Sequence, residues 1–316
     1  MKKALEGLRK YQEAGRPAPP APMPAIALAH GAALRDYGGE GPPVLFVPSL
    51  INPPNVLDMG ERSLLRWLAG QGRRVLLLDW GWPGPDRRTM SVAGHVEQIL
   101  LPLMAALGEP ADLVGYCLGG TMALAAARLG PARSVATIAA PWHFSGFPDE
   151  ARAQLRKLWE GAQPTVAALG LLPMEVLQSA FWNLDPARTI AKFQAFASLE
   201  GAEARTFVML EDWANDGPPL SEAAAREMFE GLFRDDRTGM GRWQVGGATI
   251  NPESLGVPLL NIVSTTDRIV PAASAVRAGE RIDLALGHVG MVVGSRAPEM
   301  VWEALAGWLS RSAASC

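Results

Sequence analysis

The stretch around Cys117 constrains the fold of this chain most strongly. A strand-like run over residues 111–114 ends at Gly115, and a helix-forming run begins just after Gly119. This order predicts a strand, a sharp turn and a helix, with the side chain of Cys117 lifted out of the turn. Glycine suits positions 115 and 119 because a Cβ at either place would collide with the facing strand or helix. We interpret the G-x-C-x-G pattern as a nucleophile elbow with cysteine in place of serine.

A second interpretation of Cys117 has to be weighed against this one. Free cysteines are commonly small buried hydrophobes, so Cys117 could simply fill space in a glycine-containing turn. The positive end of the helix after Cys117 would instead favour a negative charge at the sulfur. Residues further along the chain decide between the two interpretations.

Strand-like and helix-like runs alternate along much of the chain. A continuous apolar run, typical of a strand buried on both faces, occupies residues 44–47, and further strand-like runs occupy residues 73–79, 113–114, 134–139 and 257–263. Helical patterns occupy residues 64–68, 92–107 and 297–310. This alternation predicts an α/β protein with a mostly parallel sheet and helices on both faces.

The alternation of strand-like and helix-like runs stops over residues 142–250, and this change suggests how the chain is divided into domains. That region lacks an evident series of strands and holds five of the ten tryptophans. We interpret it as a mostly helical cap inserted into a core formed by residues 26–141 and 251–316. Residues 1–25 are interpreted as an N-terminal arm.

The arm combines a helical pattern with a stiff linker. Residues 1–14 predict a short amphipathic helix with Leu5, Leu8 and Tyr11 along one stripe. The proline-rich residues 16–24 favour an extended polyproline conformation. Because chain termini are often poorly ordered, we expect the helix to be a loosely packed end rather than a contact surface.

An aspartate and a histidine follow Cys117 in the order that an α/β-hydrolase fold requires. Asp267 comes just after the strand-like run 257–263, so it lies at the edge of the sheet where ligands bind. His288 stands between glycines before the last helix. A turn-forming role is the ordinary alternative for Asp267. As a triad, His288 takes the proton of Cys117, and Asp267 orients the ring and stabilises its positive charge.

An acyl-transfer site also needs two backbone N–H groups to bind the oxyanion. We expect one from Leu118, directly after the nucleophile, and the other from Ile51 in the loop after the early strand. His30 and His95 are assigned surface or packing roles. His143 stands at the start of the cap, where lining the pocket is the alternative to a structural role.

Composition excludes several other classes of function. The net charge is −3 and no block of Lys and Arg is present, so we expect no nucleic-acid partner. No run is long and apolar enough to predict a membrane span or a signal peptide. The two cysteines, Cys117 and Cys316, do not make a disulfide framework, and their rarity fits a cytoplasmic setting. No ligand spacing predicts a metal site, and no fingerprint predicts a nucleotide cofactor.

Several motifs together resemble the polyhydroxyalkanoate synthase family, especially its shorter members that require a partner. The resemblance covers residues 42–310 and rests on residues 47–52 with 57–58, 79–81, 115–120, 182–185, 211–217, 267–271 and 287–290. The chain departs from the family pattern at Ser49, where a second proline is common, and at Arg268, where histidine is usual. The large N-terminal region of the longer synthases is also absent.

This resemblance implies an acyltransferase that moves 3-hydroxyacyl groups from CoA, through a thioester on Cys117, to a hydroxyl. It implies Asp267 as the acid, His288 as the base, and CoA thioesters as substrates without any bound cofactor. It also implies a homo-oligomer or a partner subunit, and association with polymer granules in the cytoplasm. A cysteine-triad hydrolase, either a thioesterase or a polyester depolymerase, and a non-catalytic binding protein of the same shape stay open as alternatives.

Overall fold

A sheet of eight strands forms the centre of the protein in the computed structural model, which describes residues 2–18, 20–184 and 186–314. The strands are β1 (Ala25–Ala29), β2 (Ala32–Asp36), β3 (Pro43–Val47), β4 (Arg74–Asp79), β5 (Ala111–Tyr116), β6 (Ala132–Ile138), β7 (Leu259–Ser264) and β8 (Glu280–Leu284). Their spatial order is β1-β2-β4-β3-β5-β6-β7-β8. The contacts of β2 with β1 and β4 are antiparallel, and the other pairings are parallel. The predicted α/β architecture is confirmed.

The central strands are buried on both faces, which explains their continuous apolar sequences. In β3, Leu45 and Val47 belong to one hydrophobic cluster, whereas Val44 and Phe46 belong to the cluster on the opposite face. Successive side chains of a strand point to opposite faces, so the strand contributes to both.

Helices cover the two faces of the sheet. Those of the core are α2 (Leu64–Ala69), α3 (Val92–His95), α4 (Leu101–Ala105), α5 (Leu118–Leu129), and, near the C-terminus, Gly290–Val293 and Glu303–Ala314. A π-helical stretch, Val96–Leu100, joins α3 to α4, so the helix predicted over residues 92–107 is nearly continuous. Leu64, Leu65 and Leu68 of α2 pack on one face of the sheet, whereas α3, α4 and α5 pack on the other.

The region between β6 and β7 is mostly helical. Its helices are α6 (Asp149–Leu169), α7 (Met174–Leu184), α8 (Pro186–Phe196), α9 (Gly201–Ala214) and α10 (Glu222–Arg226), and a π-helical stretch, Glu227–Arg234, continues α10. Trp159 and Val166 of α6 belong to the same hydrophobic cluster as Leu45 of β3 and the buried residues of α5. The helical segment therefore packs directly on the sheet domain. The exact boundaries of arm, core and cap stay a prediction.

The N-terminal helix α1 (Lys2–Glu13) packs against α8, so the expectation of a loosely packed end is wrong. Its buried residues are Ala4 and Gly7, whereas the predicted stripe residues Leu5 and Leu8 are exposed. A Cβ on Gly7 would lie 1.9 Å from the backbone oxygen of Phe193. At Ala4 and Gly7 the two helices approach too closely for larger side chains, and Leu5 and Leu8 face outward. Tyr11, the third residue of the predicted stripe, does contact α8, with its ring centroid 5.9 Å from that of Phe193.

None of the helices in the described part of the chain is both long and apolar enough to cross a bilayer. Asp185, in one of the cap motifs, and Cys316 lie outside the described residues.

Candidate active site

Cys117 occupies the turn between β5 and α5 with φ 56° and ψ −132°, a conformation that side-chain-bearing residues rarely adopt. A Cβ on Gly115 would lie 2.3 Å from the Cα of Gly120. A Cβ on Gly119 would lie 2.0 Å from the carbonyl oxygen of Val47. The predicted strand, sharp turn and helix are confirmed, and the glycines are required because backbone atoms fill the space around the turn.

Asp267 and His288 meet at the carboxyl edge of the sheet. Asp267 follows β7 and His288 follows β8, and Nδ1 of His288 lies 2.5 Å from Oδ2 of Asp267. The other carboxylate oxygen, Oδ1, accepts hydrogen bonds from the backbone N–H groups of Ile269 at 2.7 Å and Val270 at 3.1 Å. Both side chains of the pair are buried. The backbone thereby fixes the carboxylate at Oδ1, and Oδ2 holds the imidazole of His288.

The ionisation of His288 depends on its contacts with Cys117 and Asp267. Burial on its own lowers the pKa of His288. The negative charge of Cys117, the hydrogen bonds with Asp267 and Cys117 and the charge of Asp267 outweigh burial and raise this pKa to about 10. The structure thus brings together the three side chains that the sequence singled out, in an arrangement that favours the protonated form of His288.

Tyr116 packs against the ring of His288, a role that the sequence pattern did not indicate. The centroids of the two rings lie 5.1 Å apart, and the Tyr116 hydroxyl donates to the carbonyl oxygen of His288 at 3.4 Å. Burial, followed by the charges of Cys117 and Asp267, raises the pKa of Tyr116 well above its ordinary value. Tyr116 therefore stays neutral and acts on the site through packing.

The two expected oxyanion donors differ in their surroundings. Leu118 is the first residue of α5, where a backbone N–H has no acceptor within the helix. The N–H of Ile51 donates instead to the hydroxyl oxygen of Ser49 at 3.2 Å. Ser49, Ile51 and Cys117 line the same cavity. The assignment of these donors stays a prediction, and Ser49, where the chain departs from the family pattern, contacts one of them.

Cys117 lies between two cavities. The first, here called the triad chamber, has a volume of about 330 Å³ and holds Asp267 and His288 together with several charged or polar side chains. The second, here called the aromatic chamber, has a volume of about 800 Å³ and lies under α6. The residues shared by both chambers are Ile51, Cys117, Arg268 and Ile269.

The aromatic chamber is walled by rings that pack on one another. Phe233 contacts Phe144 and Phe147 with ring centroids 4.9 and 5.0 Å apart, and Phe229 stacks on Trp159. Leu155, Leu158, Leu177 and Met228 complete the apolar lining, and Glu150, Gln154 and Lys157 of α6 supply polar atoms. The exposure of these three residues places them where the chamber opens to solvent.

The triad chamber is bounded by α8, α9 and the loop after α9. Lys192 forms an ion pair with Glu211, with Nζ 2.7 Å from Oε2, and Trp213 Nε1 donates to the carbonyl oxygen of Pro53 at 2.8 Å. Arg188 and Asn215 also line this chamber. These positions fall within or next to the cap motifs of the sequence, but no spacing rule indicated that they would face Cys117.

The other histidines lie away from the triad. His95 is buried and its Nδ1 lies 2.7 Å from the carbonyl oxygen of Ser91, while burial lowers its pKa to about 4. His30 contacts Asp86 at an exposed site, and His143 lines neither chamber. In the described ranges, no three His, Cys, Asp or Glu side chains are grouped as a metal site would require.

Comparison with known proteins identifies both a fold and a set of relatives. A family model described as alpha/beta hydrolase fold matches residues 42–288. Proteins named poly(3-hydroxyalkanoate) polymerase subunit PhaC are similar over most of the chain. That of Synechocystis sp. is 27% identical over 292 residues, covering 85% of this chain and 77% of the relative. That of Haloferax mediterranei is 26% identical over 287 residues, covering 85% of this chain and 58% of the relative.

The lengths of the relatives and the comparison with solved structures show how far these similarities extend. The chain spans 58% and 64% of the length of the relatives from Haloferax mediterranei and Haloarcula marismortui. A carboxylesterase structure from Nitrososphaera gargenis matches with a TM-score of 0.57 at 12% identity, covering 93% of this chain and all of that one. BpoC from Mycobacterium tuberculosis matches with a TM-score of 0.56 at 17% identity, covering 91% of this chain and 98% of that one. These structures support the fold, and the resemblance to polyhydroxyalkanoate synthases is confirmed by the relatives.

Proposed function

Since the chain belongs to the alpha/beta hydrolase fold family, we propose that it uses the elbow of that fold to carry an acyl group on Cys117. The reaction we propose is that of a polyhydroxyalkanoate synthase. A 3-hydroxyacyl group passes from CoA to the sulfur of Cys117 and then to a hydroxyl group. The relatives named poly(3-hydroxyalkanoate) polymerase support this choice.

The first transfer uses the arrangement around His288. His288 accepts the thiol proton, and Asp267 stabilises the imidazolium. The thiolate attacks the carbonyl carbon of the CoA thioester, and the N–H groups of Leu118 and Ile51 stabilise the negative oxygen that forms. The carbon–sulfur bond to CoA then breaks, and His288 returns the proton to the leaving thiolate. One thioester replaces another, so the acyl group remains activated.

The second transfer regenerates the thiol. The hydroxyl of another 3-hydroxyacyl group gives its proton to His288 and attacks the thioester on Cys117. An oxyester bond forms as the bond to the sulfur breaks, and the sulfur recovers the proton. This step requires the carried acyl group and the incoming one to be beside the same sulfur at one time.

The position of Cys117 between two chambers carries the proposal. Transfer to a hydroxyl needs one space for the carried acyl group and another for the incoming acceptor, and the chambers on two sides of Cys117 can provide both. The aromatic chamber, about 800 Å³ in volume, falls in the range of sites for sizeable organic ligands. Its phenylalanines disfavour water near the thioester and thereby protect it from hydrolysis.

Purified protein incubated with 3-hydroxybutyryl-CoA tests the proposal. We expect release of CoA, a mass increase of one or more 3-hydroxybutyryl groups on the chain, and polymer rather than free acid. In the Cys117→Ala variant we expect a folded protein that neither releases CoA nor gains mass. Free 3-hydroxybutyrate in equal amount to CoA would instead identify a thioesterase, and CoA release by Cys117→Ala would reject the site.

The assay should be run with and without candidate partner proteins, because a need for a partner subunit is part of the proposal. Mass labelling of Cys117 reports the first transfer even where polymer does not accumulate. A cytoplasmic location and association with polymer granules belong to the same proposal.

A further inference from the structure

His288 faces one of the two chambers that meet at Cys117. His288 and Asp267 line the triad chamber, and neither of them lines the aromatic chamber. In both proposed transfers the same imidazole moves the proton, because it protonates the CoA sulfur that leaves and deprotonates the hydroxyl that attacks. The CoA sulfur and the hydroxyl oxygen must therefore both come within hydrogen-bond distance of His288. This requirement places the leaving thiol and the incoming hydroxyl in the triad chamber.

The tetrahedral intermediate determines where the rest of the acyl group lies. Its central carbon carries the sulfur of Cys117, the negative oxygen, the entering or leaving group, and the acyl chain. The oxygen is expected at the N–H groups of Leu118 and Ile51, and the entering or leaving group lies on the side of His288. Four bonds at one carbon point to the corners of a tetrahedron, so the chain points away from His288. On that side, the space that Cys117 lines is the aromatic chamber.

The size and lining of the aromatic chamber suit an aliphatic polyester chain. Its volume of about 800 Å³ corresponds to roughly 25 water molecules at about 30 Å³ each, several times the size of one 3-hydroxybutyryl group. Apolar side chains dominate its wall, and a chain with many methyl and methylene groups gains free energy by leaving water for such a wall. The triad chamber is smaller and contains the ion pair of Lys192 with Glu211, so it suits the polar pantetheine arm of CoA better.

The aromatic chamber also has an opening along α6. Leu155 and Leu158 line it and are half-buried, whereas Glu150, Gln154 and Lys157 line it and are exposed. A chain that enters from Cys117 can therefore leave between the chamber and solvent at α6. It does not have to fold back on itself as it grows.

We propose that the aromatic chamber binds the acyl chain carried by Cys117 and lets its distal end pass to solvent along α6, whereas CoA and the acceptor hydroxyl use the triad chamber. This inference rests on the proposed acyl transfer and assigns a separate site to each reactant. A chain of several units should therefore be accepted about as well as a single unit, because its distal end lies outside the protein.

The test compares two acyl donors of different length, 3-hydroxybutyryl-CoA and the CoA thioester of a linear 3-hydroxybutyrate trimer. The single-turnover rate of acylation of Cys117 is followed by the mass of the intact protein. In wild type we expect the two rates to agree within about tenfold. Leu155→Trp narrows the aromatic chamber, so the ratio of trimer to monomer rates should fall by about tenfold or more.

Leu169→Trp is the matched control, because Leu169 lies on the same helix, is half exposed and lines neither chamber. Its ratio should equal that of wild type. Gln154→Trp places the same bulk at an exposed position of the opening and provides a second variant whose folding is not at risk. Circular dichroism of each variant, together with its acylation by the monomer, checks the fold.

The outcomes separate this inference from the proposed function. An unchanged ratio in both Leu155→Trp and Gln154→Trp would overturn the inference and leave acyl transfer intact. Thr189→Trp narrows the triad chamber instead, and should slow both donors equally. A selective loss of the trimer in Thr189→Trp would place the acyl chain in the triad chamber and would also overturn the inference. No acylation of wild type by either donor would refute the proposed function itself, and the inference with it.

Discussion

The Asp267→Asn exchange tests the triad most directly, because the structure determines how the new amide must lie. Oδ1 of Asp267 accepts two backbone hydrogen bonds, from Ile269 at 2.7 Å and Val270 at 3.1 Å. An asparagine keeps its oxygen at that position and directs its NH₂ group at Nδ1 of His288. His288 must then accept at Nδ1 and carry its proton on Nε2. In that tautomer the ring has no free nitrogen for the proton of Cys117.

The expected loss is large. The same exchange in a Ser-His-Asp protease lowers kcat by about 10⁴, and we expect a loss of that order here, equivalent to about 5.5 kcal/mol in the activation free energy. The hydrogen bond and charge of Asp267 both raise the pKa of His288, so this pKa should also fall below its wild-type value of about 10.

The assay is the initial rate of CoA release across a range of pH. Asp283→Asn provides the control, because Asp283 lies on β8 but is exposed and pairs with Arg281 at 2.9 Å. Its rate should remain within about twofold of wild type, as surface ion pairs contribute little. A rate for Asp267→Asn within tenfold of wild type, in a protein that is folded, would refute the assignment of Asp267.

Two further predictions concern neighbouring parts of the site. Ser49→Ala removes the acceptor that binds the N–H of Ile51. Because a neutral hydrogen bond contributes about 1 kcal/mol, freeing this donor should accelerate single-turnover acylation up to about fivefold. A slower reaction would show instead that the Ser49 hydroxyl positions the loop. The pKa of His288 is raised from 6.5 to about 10 in the folded protein, so its stabilising effect is present below about pH 6.5 and is lost as the pH rises through 10. Between pH 7 and pH 10 the melting temperature of His288→Gln should therefore fall less than that of wild type. Equal falls in the two proteins would contradict the contacts of His288 as the cause of its raised pKa.

The core and the triad could be predicted from the sequence because both depend on local patterns. A strand buried on both faces needs a continuous apolar run, and such runs mark β3, β4, β6 and β7. The carboxyl ends of parallel strands lie at one edge of the sheet, so residues after β5, β7 and β8 meet there whatever lies between them in the chain. On that basis alone the sequence predicts that the side chains of Cys117, Asp267 and His288 lie close together.

The remaining features depend on which surfaces meet, and no local pattern encodes that. The predicted stripe of Leu5, Leu8 and Tyr11 was wrong for the two leucines and right for Tyr11, because α8 contacts the face of α1 that carries the small residues Ala4 and Gly7. The bond between Ser49 and Ile51 depends on the conformation of a loop.

The division of labour between core and cap explains how one elbow serves different reactions. The core supplies Cys117, Asp267 and His288, and a carboxylesterase structure shares the fold of this core. In the proposed reaction the fate of the acyl group depends on the acceptor that reaches the thioester, and part of the wall of the aromatic chamber beside Cys117 comes from the cap. Phe229 and Phe233 are contributed by the π-helical stretch after α10, and Leu158 by α6. Changes to these cap residues should therefore alter the choice between hydroxyl and water more than the acylation of Cys117, because His288 and Asp267 lie on core loops that the changes leave in place.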